Sequence, residues 1–185
     1  IGGRLIIKKC AGGAVLLVID DGWTSAPRWP QLRAAALAVV AEQGEAGGAP
    51  VHLLLTASTV ALADPRAALT PADARAQLNR LTPQPWRPDR AAARTRLGDA
   101  VPQVGRVVWL SDGLDGPGTA DLAAALSARG PLTVLTSAQP VRALTTAVVE
   151  GDGVVVEGRR GAGGLGQGGI AVETVEGRSL GSGGV

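Results

Sequence analysis

The chain has 185 residues, of which 45% are hydrophobic and 18% charged, and its formal net charge is +2. That length suits one domain, or one domain and part of a second, and the nearly balanced charge gives no sign of a basic nucleic-acid-binding face. One cysteine, Cys10, excludes an internal disulfide and a cysteine-built zinc site, and one histidine, His52, excludes a site with several histidine ligands. No apolar run reaches the roughly 18–20 residues that a membrane-spanning helix needs.

Buried strands and helices alternate along the first 140 residues. Residues 1–13 are glycine-flanked and are interpreted as a tail or linker. The run AVLLVI (14–19) predicts a strand buried on both faces, because it is short, wholly apolar and rich in branched residues. A helix is predicted over QLRAAALAVVAEQG (31–44), where apolar residues recur at helical spacing, and VHLLLT (51–56) predicts a second buried strand.

The same alternation continues after a loop. Thr70 is predicted to be a helix N-cap, since a proline and then an acid follow it. The further predicted elements are a helix over 71–81, a proline-rich loop over 82–88, a helix over 89–101, a strand over 106–111, a helix over 119–129 and a strand over 132–137. The order predicts an α/β fold, doubly wound, with a mainly parallel sheet and helices on both faces.

The composition changes after Pro140. Residues 148–156 predict a hairpin with a Gly/Asp turn, and a glycine-rich loop then precedes further β-type sequence. We therefore divide the chain into an α/β domain at 14–140 and a short β-rich segment at 141–185. The segment is interpreted either as the start of a β-sandwich-like module or as a partly disordered glycine-rich tail.

Acidic residues directly follow two of the predicted strands. Asp20 follows the first strand, and Asp112 follows the strand over 106–111. Ligands of doubly wound sheets bind beyond the carboxyl ends of the strands, so the two acids converge if those strands are neighbours. Thr24 adds a hydroxyl nearby, and Thr82 lies in a loop that can approach the same crevice. Carboxylates, hydroxyls and waters suit Mg²⁺ or Mn²⁺, with a position left open for an acid of a partner protein.

Two motifs carry a resemblance to the von Willebrand factor A domain. DDGWT (20–24) resembles the Asp-x-Ser-x-Ser motif of its metal-ion-dependent adhesion site, with Gly22 at the middle serine, and SDG (111–113) resembles the motif after its fourth strand. The resemblance implies Asp20, Thr24 and Asp112 as metal ligands, with Gly22 and Thr82 completing the candidate set. Because Gly22 has no hydroxyl, the alternative is a degenerate, metal-free site.

The resemblance is closer to one subset of these domains. The segments VLLVIDDGWTSAPRW, LTPQPWRPDRAAA and VVWLSDGLDGPG are similar to the A-type domain of bacterial membrane proteins of the aerotolerance-regulator-like kind, over roughly residues 14–140. This similarity implies a membrane-anchored bacterial parent whose spanning helices lie outside this chain. We predict that the domain binds a protein partner. The absence of Met, even at position 1, also leads us to expect a segment of a longer protein.

The enzyme classes are less well supported. A receiver-like phosphoacceptor domain is the alternative function, since it also has an acidic pair after a buried strand, but Gln139 stands where its lysine is expected. A dinucleotide-binding turn needs three glycines after the first strand, and DDGWTS has one glycine and two acids. Gly181-Ser182-Gly183 is a near miss to a hydrolase motif without the strand context. We expect no enzymatic activity.

The remaining conspicuous residues have structural interpretations. Trp109 lies within a predicted strand and is expected in the core, while Trp23 and Trp86 are expected to pack the loops beside the crevice. Asp21 is predicted to be a solvated or capping residue. Arg90 is predicted to lie in a solvated helix start.

Overall fold

The structure is a computed structural model that describes residues 13–57, 64–98 and 101–136, together with the backbone of six short strands between residues 142 and 184. The chain divides into two compact units, Ile1–Ser137 and Ala138–Val185. Each unit is considered by itself.

The first unit follows the predicted order of strands and helices. Its elements are β1 (Val15–Ile19), α1 (Trp29–Glu45), β2 (Val51–Leu55), α2 (Pro71–Arg80), α3 (Arg90–Leu97), β3 (Arg106–Leu110), α4 (Thr119–Ser127) and β4 (Leu132–Leu135). A 3-10 helix at Trp23–Arg28, which the sequence analysis did not predict, leads into α1. The helix α3 is shorter than predicted, because Gly98 has a positive φ of 47° and ends it.

The four strands form one parallel sheet in the order β2-β1-β3-β4. Within this sheet β1 pairs with β2 on one side and with β3 on the other. The α/β doubly wound fold predicted from the sequence is therefore confirmed. Ile19 at the end of β1 is level with Leu110 at the end of β3, so the residues that follow these strands leave the sheet side by side.

Strands β1, β2 and β3 are buried throughout by aliphatic packing on both faces of the sheet. Leu17 and Ile19 of β1 point towards α1 and α2, and Leu16 and Val18 point towards α3 and α4. Strands buried on both faces are typical of parallel sheets, and this explains the continuous apolar runs in the sequence.

Two side chains cap helices and fix where they begin. The Thr70 hydroxyl accepts a hydrogen bond from the Asp73 amide at 3.1 Å, which confirms the predicted N-cap of α2. The Asp89 carboxylate accepts one from the Ala92 amide at 2.9 Å and starts α3. Caps of this kind satisfy amide groups that have no partner within the helix.

The second unit contributes short antiparallel pairs. The strands are β5 (Arg142–Leu144), β6 (Val148–Glu150), β7 (Gly153–Val155), β8 (Gly158–Arg160), β9 (Gly169–Glu173) and β10 (Ser179–Gly184). The predicted hairpin is present as the β6–β7 pair, while β5 pairs with β8 and β9 with β10. In the portions of the chain that the structure describes, no helix combines the length and the apolar character needed to cross a membrane.

Candidate functional site

The acids that follow β1 and β3 lie against each other at the carboxyl edge of the sheet. The backbone amide of Asp112 donates a hydrogen bond to Oδ2 of Asp20 at 3.1 Å, and the Thr24 hydroxyl donates one to Oδ2 of Asp112 at 2.6 Å. All three side chains are buried. The structure thus brings together Asp20, Thr24 and Asp112, which the sequence analysis selected as ligands.

A guanidinium lies between the two carboxylates. Nη2 of Arg90 donates to Oδ2 of Asp20 at 2.8 Å and to Oδ1 of Asp112 at 2.7 Å. Its Nη1 donates to the Thr119 hydroxyl at 3.1 Å, and its guanidinium carbon lies 5.6 Å from the ring centroid of Trp109. The Arg90 side chain is only 5% exposed, so the prediction of a solvated helix start was wrong.

The position of Arg90 in its helix explains both its burial and why sequence reasoning missed it. Asp89 caps the first turn of α3, and the next residue turns its side chain inwards over the carboxyl edge of the sheet. A cation in the first turn of a helix is unfavourable next to the positive end of the helix dipole. An arginine directly after an N-cap is therefore a weak signal in the sequence that favours a nearby carboxylate partner.

Each carboxylate oxygen of Asp20 accepts two hydrogen bonds. Oδ1 accepts from the Thr56 hydroxyl at 2.8 Å and from the Trp109 indole at 3.2 Å, while Oδ2 accepts from Arg90 and from the Asp112 amide. The Ser25 hydroxyl donates to the backbone carbonyl of Asp20. Buried carboxylates are stable only when they are paired and hydrogen-bonded in this way.

A second arginine and a third acid surround this centre. Nη2 of Arg28 donates to the backbone carbonyl of Asp112 at 3.0 Å, from a side chain that is itself buried. Asp21 is also buried, and its Oδ1 accepts from the Ala57 amide at 2.7 Å. Asp21 therefore fixes the loop after β2, and the expectation that it is solvated was wrong.

The structure does not join Thr82 and Gly22 to the acids as ligands. Thr82 is exposed, and its carbonyl accepts from the Gln84 side chain. The hydroxyl beside Asp20 belongs instead to Thr56, at the end of β2. At Gly22, a Cβ atom would lie 2.5 Å from Cδ of Pro88 and 2.8 Å from the carbonyl oxygen of Trp86. A serine hydroxyl at position 22 is therefore excluded by the backbone that passes over it.

Burial and neighbouring charges shift the pKa values of Asp20 and Arg90. Burial and, to a lesser degree, the neighbouring charge of Asp112 raise the pKa of Asp20, and the attraction of Arg90 offsets this only in part. For Arg90, burial lowers the pKa, but the charges and hydrogen bonds of Asp20 and Asp112 outweigh it and raise the pKa overall. Burial, rather than the balance of the neighbouring charges, therefore accounts for the raised pKa of Asp20.

These residues do not fit a divalent cation while Arg90 is in place. Such an ion would need the oxygens of Asp20 and Asp112 at about 2.0–2.1 Å, and the guanidinium contacts the same two carboxylates. Among residues 13–57, 64–98 and 101–136, no three His, Cys, Asp or Glu side chains form a group that could hold a metal. Arg90 supplies a positive charge to both carboxylates.

Two partly exposed tryptophans lie in the segments after β1 and before α3, and we call this pair the rim. Trp23 is 36% exposed and Trp86 is 46% exposed. Their loops are joined by a hydrogen bond from the Trp23 amide to the Trp86 carbonyl at 3.1 Å, and the Trp86 indole donates to the Ala57 carbonyl at 2.6 Å. The Trp86 side chain thus joins its own loop to the loop after β2, and both tryptophans present aromatic surface to solvent. Trp109 is 2% exposed and lies in the core as predicted.

A separate cavity of about 510 Å³ lies between the C-terminal ends of α3 and α4, and its lining residues are Arg94, Thr95, Leu97, Gly98, Ala125, Ala128 and Arg129. It shares no residue with the acidic cluster, and its lining includes no carboxylate. The candidate site therefore remains the cluster at the carboxyl edge.

Comparison of the sequence with protein-family models and with curated proteins finds no match to either. The resemblance to von Willebrand factor A domains consequently depends on the motifs around Asp20 and Asp112.

Proposed function

We propose that this chain is a metal-independent, von Willebrand factor A-like protein-interaction domain of a membrane-anchored bacterial protein, without enzymatic activity. The observation that carries the proposal is the contact of one Arg90 nitrogen with both Asp20 and Asp112, at 2.8 and 2.7 Å. An arginine held by two acids is a permanent cation. It performs the structural task of an adhesion-site metal without depending on metal concentration.

The buried cluster organises the surface above it. Arg90, Thr24 and Arg28 each connect the loop after β3 with another loop or helix at the carboxyl edge. Held in this way, Trp23 and Trp86 are preorganised anchors for a protein partner, because exposed aromatic side chains on a rigid backbone lose little conformational entropy on binding. The partner in this proposal binds the rim, since the acids themselves are inaccessible.

The receiver-like alternative receives less support from this arrangement. A phosphoacceptor acid must be reached by a phosphodonor together with a metal, and Asp20 and Asp112 are 0% and 2% exposed. Incubation with acetyl phosphate is expected to leave the mass of the protein unchanged. A mass increase that disappears in Asp20→Asn would favour the receiver-like function instead.

Metal titration tests the proposal that Arg90 takes the place of a metal ion. Calorimetric titration of Mg²⁺ and Mn²⁺ into the chain is expected to give no saturable heat, and millimolar metal is expected to leave Tm unchanged. Arg90→Ala exposes both carboxylates to an ion, so metal should raise the Tm of this variant. Arg87→Ala, which removes an exposed arginine from the neighbouring loop, is the matched control and should behave like the parent. Saturable binding by the parent chain that is lost in Asp112→Ala would overturn the proposal.

Site-specific crosslinking tests the rim. A photoreactive phenylalanine in place of Trp23 or Trp86 is expected to trap a discrete protein in cells, while the same group in place of Arg75, exposed on α2, should trap none. Equal products at all three positions, or products at none, would argue against a partner-binding rim.

A further inference from the structure

Two arginines lie directly opposite each other in the second unit. In the antiparallel pair of β5 and β8, Arg142 is the register partner of Arg160, and Ala143 is the partner of Arg159. Directly opposed residues of an antiparallel pair have Cβ atoms about 4.5–5.5 Å apart, and like charges in such positions destabilise the pair. A group of opposite charge between the two arginines would remove this repulsion.

A register shift brings the two arginines together. The strands β6 and β7 form a hairpin in which Val148 pairs with Val155, and β5 precedes this hairpin in the chain while β8 follows it. If that register continued unchanged, Arg142, six residues before Val148, would pair with Gly161, six residues after Val155. Its partner is instead Arg160, one residue earlier. Shifts of one residue re-aim side chains and are frequent beside functional sites.

The strand pairing supplies no acid to this arginine pair. Among the strand residues that the structure describes in the second unit, the carboxylates are Glu150 and Glu173. The register places Glu150 opposite Gly153 and Glu173 opposite Ser179. Within these strands, the two arginines therefore have each other, and no carboxylate, as cross-strand partners.

We propose that Arg142 and Arg160 together bind a phosphate group. A guanidinium presents paired N–H donors that match phosphate oxygens, and hydrogen bonds between ionised partners are strong. The two positive charges match the charge of about −1.5 to −2 that a phosphate monoester carries near pH 7. A carboxylate has a single negative charge and would neutralise one arginine of the pair. The charge of the pair therefore favours phosphate over carboxylate.

Calorimetric titration of the complete 185-residue chain with inorganic phosphate tests the site. Saturable heat is expected at millimolar phosphate, and acetate at the same ionic strength should bind at least about tenfold more weakly, since it carries half the charge. Methyl phosphate distinguishes the two sources of the group: binding equal to that of inorganic phosphate indicates a site for monoesters, and weaker binding indicates a site for the free ion. A chain that shows no saturable phosphate binding would overturn the proposal, because the pair would then be neutralised within the chain.

Glutamine substitutions locate the phosphate. Arg142→Gln and Arg160→Gln should each weaken phosphate binding at least about tenfold, because each removes charge-assisted hydrogen bonds. Arg159→Gln is the matched control: it removes the same charge from the same strand, but this residue is paired with Ala143, on the other face of the ribbon. It should bind phosphate like the parent. Equal losses in all three variants would reveal only a general attraction to positive charge and would contradict the paired site.

Amide hydrogen exchange separates loss of the site from loss of structure. Because opposed like charges destabilise a strand pair, Arg142→Gln should leave the β5–β8 pair at least as well protected from exchange as in the parent. Phosphate should slow the exchange of β5 and β8 in the parent and in Arg159→Gln, but not in Arg142→Gln. Slower exchange elsewhere in the chain, with β5 and β8 unaffected, would assign phosphate to a different site and overturn the proposal.

Discussion

Asp20 and Asp112 bind the same nitrogen atom, Nη2 of Arg90, and Asp20 also accepts the backbone amide of Asp112. The two carboxylates are therefore held at a separation that suits one cation, and that cation belongs to the chain. This relationship makes α3, which supplies Arg90, a structural part of the crevice. Its consequences for stability can be measured.

Removal of the internal cation should destabilise the fold strongly. Arg90→Gln leaves two buried carboxylates without their charge partner, and breaking a buried pair in this way costs about 3–5 kcal/mol. The free energy of unfolding in urea measures the loss. Arg87→Gln, an exposed neighbour, should stay within about 0.5 kcal/mol of the parent. A similarly small effect of Arg90→Gln would show that the cluster does not need its guanidinium.

Stability should depend on pH through Asp20. Because burial raises its pKa in the folded state, the folded protein binds a proton more readily than the unfolded chain between the ordinary carboxyl pKa of 3.8 and the raised value. The contribution of Asp20 to the unfolding free energy therefore falls as pH rises through this window, and it is recovered as pH falls. Urea unfolding across the window should show this slope in the parent and a weaker one in Asp20→Asn. If the unfolding free energies of the parent and of Asp20→Asn changed with pH in parallel, the raised pKa of Asp20 would be contradicted, whatever the absolute stability of the variant.

Alanine substitutions at Gly22 and Gly44 should change the stability of the protein in opposite directions. A Cβ at Gly22 would overlap Pro88 and the carbonyl of Trp86, so Gly22→Ala should cost about 1–3 kcal/mol. Gly44 lies inside α1, where a new Cβ would meet its nearest neighbour at 3.7 Å, and alanine there should stabilise by about 0.5–1 kcal/mol. Thermal unfolding of the two variants gives the comparison directly. A neutral Gly22→Ala would mean that the loop carrying Pro88 moves at little cost.

The indole N–H of Trp109 should contribute more to the free energy of unfolding than the indole N–H of Trp29. The Trp109 indole donates to the charged Asp20 at 3.2 Å, whereas the Trp29 indole donates to the neutral Leu81 carbonyl at the same distance. Hydrogen bonds to charged groups contribute about 1.5–3 kcal/mol and neutral ones about 1 kcal/mol. Trp109→Phe should therefore reduce the unfolding free energy more than Trp29→Phe. A double-mutant cycle with Arg90→Gln separates the indole bond from the contact between the ring and the guanidinium, and additive losses would exclude coupling between the two residues.

The sequence by itself determined the elements and the place of the site. The apolar runs around β1 and β3 can be buried on both faces only in a parallel sheet with helices on each side, and Thr70 has the local chemistry of a cap. Asp20 and Asp112 follow these strands directly, so their convergence required only that β1 and β3 be neighbours. These inferences depend on local patterns, and local patterns are visible in a single sequence.

Only the tertiary structure decided what occupies the site. Arg90, Thr56 and the backbone over Gly22 come from loops and helices that are distant from the acids in sequence. Their approach depends on strand order, on crossover direction and on how far each loop reaches over the sheet edge. A carboxylate pair in sequence is equally compatible with a metal ion and with an arginine. The fold directs the Arg90 side chain to both Asp20 and Asp112, and this contact is visible only in three dimensions.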